Sequence, residues 1–253
     1  APVADFVLIN ELDSDTPGSD TAEFVELYDG SAGGTDLSGL VLVFYNGSDD
    51  RSYYAVDLDG VATDDDGYAV VGSAALAGAV TLPASVMQNG ADAVSLYEGN
   101  AGDFPSGTAL TTDGLRDALV YGTSDPIDTG LLPLLAAGQT QVDENARAAA
   151  ETDSSGRCPN ASGGLRQTAS YRQNPPTPGA PNDCHVDAPP VVVTVSPADG
   201  TDHVSAQATL EVQFSEAITL DANWFGIICD ASGGNTATTA GGPTVFTLTP
   251  AQP

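Results

Sequence analysis

Leu40-Val-Leu-Val-Phe-Tyr45, the pair Asn46-Gly47, and then Ser52-Tyr-Tyr-Ala-Val-Asp-Leu58 form the stretch on which the fold turns. Six apolar residues in a row are too few for a helix. They are rich in β-branched and aromatic side chains, and Asn-Gly is a turn pair, so the reading is strand, turn, strand. Outward from this stretch the same pattern recurs at Asp5–Leu12, Glu23–Tyr28, Tyr68–Val71, Ala93–Tyr97 and Ala118–Tyr121. Seven short strands in one block suit a β-sandwich. The 28 glycines and 17 prolines punctuate the whole chain, so helices should be rare. Thr129–Ala137, with Leu-Leu-Pro-Leu-Leu at its centre, reads equally as a helical turn or as an extended excursion covering a sheet edge.

Beyond the strands lies a Gly/Pro/Asn-rich segment, Ser154 to Asp183, whose prolines at 175, 176, 178 and 181 argue for a pinned loop and not a central strand. Cys158 and Cys184 bracket it. A bridge between them would close a loop of about 25 residues, worth roughly 3 kcal/mol in the chain-entropy model, and is expected. A second block opens at Pro189-Pro190, with strands at Val191–Ser196, Thr209–Phe214, Trp224–Cys229 and Thr244–Leu248. The expected domains are therefore 1–186 and 187–253, joined by a proline-stiffened linker.

The 253 residues carry 35 acids against 6 bases, a formal net charge of −29, and all six bases are arginines. Such a field repels phosphate backbones, which disfavours nucleic-acid binding, and attracts divalent cations. It also keeps a secreted or salt-adapted protein in solution, and the two readings are compatible. Arg147, Arg157, Arg166 and Arg172 form the one basic concentration; pairing with the surrounding acids accounts for it.

No run approaches the roughly 20 apolar residues of a membrane span, and Ala1-Pro2-Val3-Ala4-Asp5 reads as a mature start after signal-peptide removal. Three cysteines without C-x-x-C spacing argue for an oxidising, extracellular compartment. Cys229 lacks a partner in its own block and should be free or joined to something outside the chain. Asn46-Gly47-Ser48 and Asn160-Ala161-Ser162 match the glycosylation sequon but read better as turns.

No nucleophile elbow, phosphate loop or zinc helix motif is present, and His185 and His203 sit in loop-like sequence, so no catalytic residue is assigned. The acidic loops carry the chemical signal. Asp13, Asp15, Asp20 and Glu23 crowd the turn Thr16-Pro17-Gly18, and calcium needs six to eight oxygens of the kind such a loop supplies. Pro17 and Phe24 break the EF-hand pattern. A second candidate is Asp57 and Asp59 with Asp64 and Asp66; aspartates beside glycine also make ordinary turns. Asn10, Glu11 and Glu26 read as structural.

Val7-Leu-Ile-Asn-Glu11, Ala22-Glu-Phe-Val-Glu-Leu27, Leu37–Asn46, Asn89–Tyr97 and Pro176-Thr-Pro-Gly-Ala-Pro-Asn182 together resemble a bacterial lamin-tail domain. The variety most resembled stands at the front of large secreted nucleases of the extracellular endonuclease family, where the Cys158-Pro-Asn and Asn182-Asp-Cys184 pair recurs. Val195-Ser-Pro-Ala-Asp-Gly200, Val212-Gln-Phe-Ser-Glu216 and Asn223-Trp-Phe225 resemble the bacterial Ig-like domain that follows in such proteins. The resemblance implies two immunoglobulin-like sandwiches, the second incomplete with a partner for Cys229 further on, and places nuclease chemistry in a separate later domain.

The expected whole is an all-β, extracellular or cell-surface, non-catalytic binding and targeting region of a larger secreted protein, a nuclease by the resemblance, stabilised by calcium, with a surface fibre or matrix subunit as the alternative and phosphodiester hydrolysis by this segment least favoured. Its partners would be a downstream domain or a neighbouring subunit pairing through β-edges, with an unpaired backbone row expected beside Thr244–Leu248.

Overall fold

The computed structural model describes residues 6–147, 151–184, 190–215, 217–221, 224–229 and 233–251. The chain is all β, and it divides into two compact units, residues 1–185 and 186–253.

In the first unit the strands are β1 Leu8–Asp13, β2 Phe24–Tyr28, β3 Leu40–Asn46, β4 Arg51–Asp57, β5 Tyr68–Gly72, β6 Val80–Thr81, β7 Asp92–Glu98, β8 Leu115–Gly122, β9 Val142–Asp143, β10 Ser154–Arg157 and β11 Tyr171–Asn174. They form a six-stranded sheet, β11-β10-β1-β2-β5-β6, and a five-stranded sheet, β4-β3-β7-β8-β9. Ile9, Val25, Leu27 and Val71 of the first meet Leu42, Phe44, Leu96 and Leu119 of the second in the main core.

The apolar run of β3 is continuous because both of its faces are buried. Leu40, Leu42 and Phe44 enter the inter-sheet core, while Val41, Val43 and Tyr45 point the other way, under Phe104, Leu131, Leu134 and Leu135. The ambiguous segment thus resolves as a helical turn: a 3-10 turn at Leu132–Leu134 lies over a sheet face and not over an edge. Arg166 secures it, with Nε donating to the Leu134 carbonyl at 2.6 Å and Nη2 to that of Pro133 at 2.8 Å.

The pinned-loop reading of 154–183 needs correction. Residues 154–157 and 171–174 are strands, and β10 is an interior strand between β11 and β1. Every proline cited against a strand lies after Asn174, so the amide ladder of both strands is intact.

The second unit holds β12 Val192–Ser196, β13 Leu210–Phe214, β14 Ile227–Cys229, β15 Gly233–Asn235, β16 Ala237–Gly241 and β17 Val245–Pro250. They form a sheet β12-β13-β17-β16 and a pair β14-β15. The open row expected beside Thr244–Leu248 is absent: Leu248 pairs with Leu210 on one side and Thr239 on the other. The partner strand, Ala-Thr-Thr-Ala-Gly, has no apolar alternation by which to be recognised. Phe246 and Leu248 are buried, and Trp224 packs its ring against Phe214, Phe225 and Phe246. The Cys229 side chain lies outside the described residues, as does His185.

Candidate functional site

Strand β1 is where the sequence meets the site. A bulge between Ile9 and Glu11 inserts Asn10, so that Asn10 and Glu11 together oppose Glu26. Three polar side chains thereby gather on the face away from the core. Asn10 Nδ2 donates to Glu26 Oε1 at 2.9 Å, and Glu26 Oε2 accepts the Gly179 amide at 2.7 Å. Glu11 accepts the Thr177 amide at 2.9 Å and its hydroxyl at 2.8 Å, besides the Ser154 hydroxyl. Asn182 Nδ2 donates to the carbonyls of Asn10 and Arg157, at 3.2 and 2.9 Å. The loop 177–182 is clamped onto the sheet by these acceptors. Burial pushes Glu26 up to about 8 and Glu11 upward as well, against hydrogen bonds that pull the other way.

Arg157 anchors the same region from within. Fully buried, it donates to the Ile9 carbonyl at 2.7 Å and to those of Ser162 and Gly164 at 2.8 Å, pairs with Asp117 at 3.1 Å, and lies 4.9 Å over the Tyr171 ring. The arginine-rich segment is spent internally. The expected Cys158–Cys184 bridge is not formed: both are free thiols. Cys158 accepts from Asn174 Nδ2 at 3.7 Å and Cys184 donates to the Arg157 carbonyl at 3.9 Å, and burial together with the neighbouring Cys184 pushes the Cys158 thiol up to about 12. The chain supplies the proximity, while the S–S bond itself requires an oxidant.

The two acidic loops fare differently. Asp13, Asp15, Asp20 and Glu23 are brought together at one end of the sandwich. A single nitrogen, Asn89 Nδ2, donates to Asp15 Oδ1 at 3.1 Å and to Asp20 Oδ2 at 3.2 Å. Burial, then the nearby Asp20 and Asp15 charges, push Glu23 up to about 7; burial and Glu11 push Asp13 up to about 8. Asp13 Oδ1 and Glu23 Oε1 are buried without a hydrogen-bond partner. Glu144 closes the loop, accepting the Ser14 and Asp15 amides at 3.1 and 3.0 Å.

The second loop does not converge. Asp57 Oδ1 accepts the Ala101 amide at 2.5 Å, Asp59 Oδ1 that of Gly39 at 2.8 Å, and Asp64 Oδ1 those of Asp66 and Tyr68 at 3.0 and 2.8 Å. Asp64 organises its own turn, Asp57 and Asp59 each tie down a separate segment, and Asp66 is exposed. Among the described residues no three His, Cys, Asp or Glu side chains are assembled as they stand to hold a metal ion.

Both sequon asparagines are committed to internal bonds: Asn46 Nδ2 donates to Gln88 and Asn160 Nδ2 to the Tyr68 hydroxyl, at 2.8 and 2.7 Å. His203 is exposed in a turn. Glu144 and Asp117 were not singled out from the sequence, and Asn89 entered only as the start of a family-like stretch, since each acts on a strand or loop far along the chain. Asp29 escaped too; it accepts the Ala32 and Gly33 amides and the Thr35 and Thr63 hydroxyls. Burial pushes its carboxyl up, but these donors together hold it below its ordinary value.

No helix among the described residues is long and apolar enough to cross a membrane. Compared with known proteins, the chain matches no curated protein and no solved structure. Its second unit does find a family: residues 186–253 match the bacterial Ig-like domain.

Proposed function

We propose that this chain is a non-catalytic binding and spacing region of a larger secreted bacterial protein, in which a lamin-tail-like sandwich precedes the Ig-like module. The match of residues 186–253 to a bacterial Ig-like domain carries the reading. The clamp supports its first half, because the stretches resembling a lamin-tail domain, 7–11, 22–27 and 176–182, meet in one hydrogen-bonded network. A nuclease as the parent protein rests on that resemblance alone. The purified chain, incubated with plasmid DNA and Mg²⁺, Mn²⁺ or Ca²⁺, should leave the DNA intact; hydrolysis abolished by a substitution within the chain would overturn the non-catalytic reading.

A second reading, a fibre or matrix subunit, is favoured by β12. It is an edge strand with Val192, Val193 and Val195 exposed, a surface suited to pairing with another strand. Concentration-dependent assembly in light scattering, suppressed by Val193→Lys, would favour it over the first.

A further inference from the structure

We infer that Asp15, Asp20 and Glu23, with Asn89 between them, form a binding site for a hard divalent cation, calcium being the fitting one. The argument rests on two separate observations. First, the Asn89 amide nitrogen stands between two carboxylates at 3.1 and 3.2 Å, where its two N–H groups do what a cation does: they offset two negative charges held close together. Second, Glu23 is 2% exposed and its Oε1 has no hydrogen-bond partner, while its carboxylate faces the charges of Asp20 and Asp15. A buried carboxylate oxygen left without donors is costly, and its neighbours here are further carboxylates, which make it worse. Asp13, 4% exposed with Oδ1 also unpartnered, extends the same acceptor-only surface.

The donor set is all oxygen and predominantly carboxylate, which selects calcium or magnesium over softer metals. Calcium is the better match because its variable coordination tolerates an irregular loop, whereas magnesium demands a near-ideal octahedron. Rotation of the Asn89 side-chain amide exchanges its NH₂ for its carbonyl oxygen, converting the group that separates Asp15 from Asp20 into a further ligand. The start of the loop is held by Glu144, which accepts the Ser14 and Asp15 amides.

This inference stands whether the parent protein is a nuclease or a fibre, since it concerns one end of the first sandwich only. The test is calorimetric titration of the chelator-treated 253-residue chain with CaCl₂ at pH 8 and constant high ionic strength, paired with melting curves. One saturable site in the millimolar range or tighter and a rise in Tm are expected, with magnesium at least tenfold weaker. Asp20→Asn and Glu23→Gln should each weaken calcium binding tenfold or more, and Asp57→Asn combined with Asp59→Asn should leave it unchanged. Asn89→Asp separates a ligand from a mere spacer: it should lower Tm without calcium and tighten calcium binding. No saturable heat, affinity unchanged in Glu23→Gln, or an Asn89→Asp variant whose lost Tm calcium does not restore would overturn the site.

Discussion

Arg157 shows how much a single side chain can organise when it is buried. Its five donors reach three backbone carbonyls and Asp117, so removing it leaves an uncompensated carboxylate and several open acceptors inside the protein. Breaking such a pair typically costs about 3–5 kcal/mol. Arg157→Met should therefore lower the Tm of the first unit by roughly 10 °C or more, at about 2–4 °C per kcal/mol, in differential scanning calorimetry. Arg157→Met combined with Asp117→Leu should recover part of the loss; a double variant as unstable as the single would show that the orphaned charge is not the cause. Glu26 makes the opposite electrostatic point. Its folded value is raised to about 8 from an ordinary 4.5, so its folded form holds a proton that the unfolded chain releases. That stability is fully present below pH 4.5 and is lost as pH rises through 8. The first unit should melt at higher temperature at pH 5.5 than at pH 8.5, and Glu26→Gln should shrink this difference by several degrees. An undiminished pH slope in Glu26→Gln would assign the effect to other buried carboxyls.

At the scale of elements, the segment from β10 to Cys184 adds two strands to the six-stranded sheet and then straps residues 177–182 across its outer face. Its far end is fixed by Glu11, Glu26 and Asn182, and its two thiols are neighbours. We predict that mild oxidation joins Cys158 to Cys184 and raises stability by about 3 kcal/mol, an effect reversed by dithiothreitol. Mass spectrometry of non-reduced peptides checks the pairing. A bridge from Cys229 to either thiol would contradict it. The strap was only half legible in sequence. Ser154-Ser-Gly-Arg157 and Tyr171-Arg-Gln-Asn174 carry no apolar alternation, because β10 is covered by polar loops and its strand character comes from pairing with β1.

For the whole molecule, the two units differ in how much they bury. The first has a core spanning both sheets and a second cluster behind β3, whereas in the second unit Phe246 and Leu248 are the buried apolar residues among those described. Hydrogen exchange should accordingly be slow through β1, β3 and β7 and much faster through β12 to β17. A fragment ending at residue 184 should keep the first unit's Tm within a few degrees; a large drop would show that the second unit supports the first.

The seven main strands were legible from residue order alone, because each is a short apolar-rich run, most of them β-branched and aromatic, ended by Gly, Asn or Asp. The crowding of acids at 13–23 was equally plain. Their convergence was not: Asn89 and Glu144 reach the loop from 69 to 130 residues away, which periodicity cannot report. The second acidic loop is also rich in aspartate, yet it scatters because Asp57, Asp59 and Asp64 each accept a different backbone amide while Asp66 stays exposed. Local pattern thus determined which segments are strands and where charge is dense. Tertiary packing alone decided which carboxylates are buried, which donors reach them, and which oxygen is left without one.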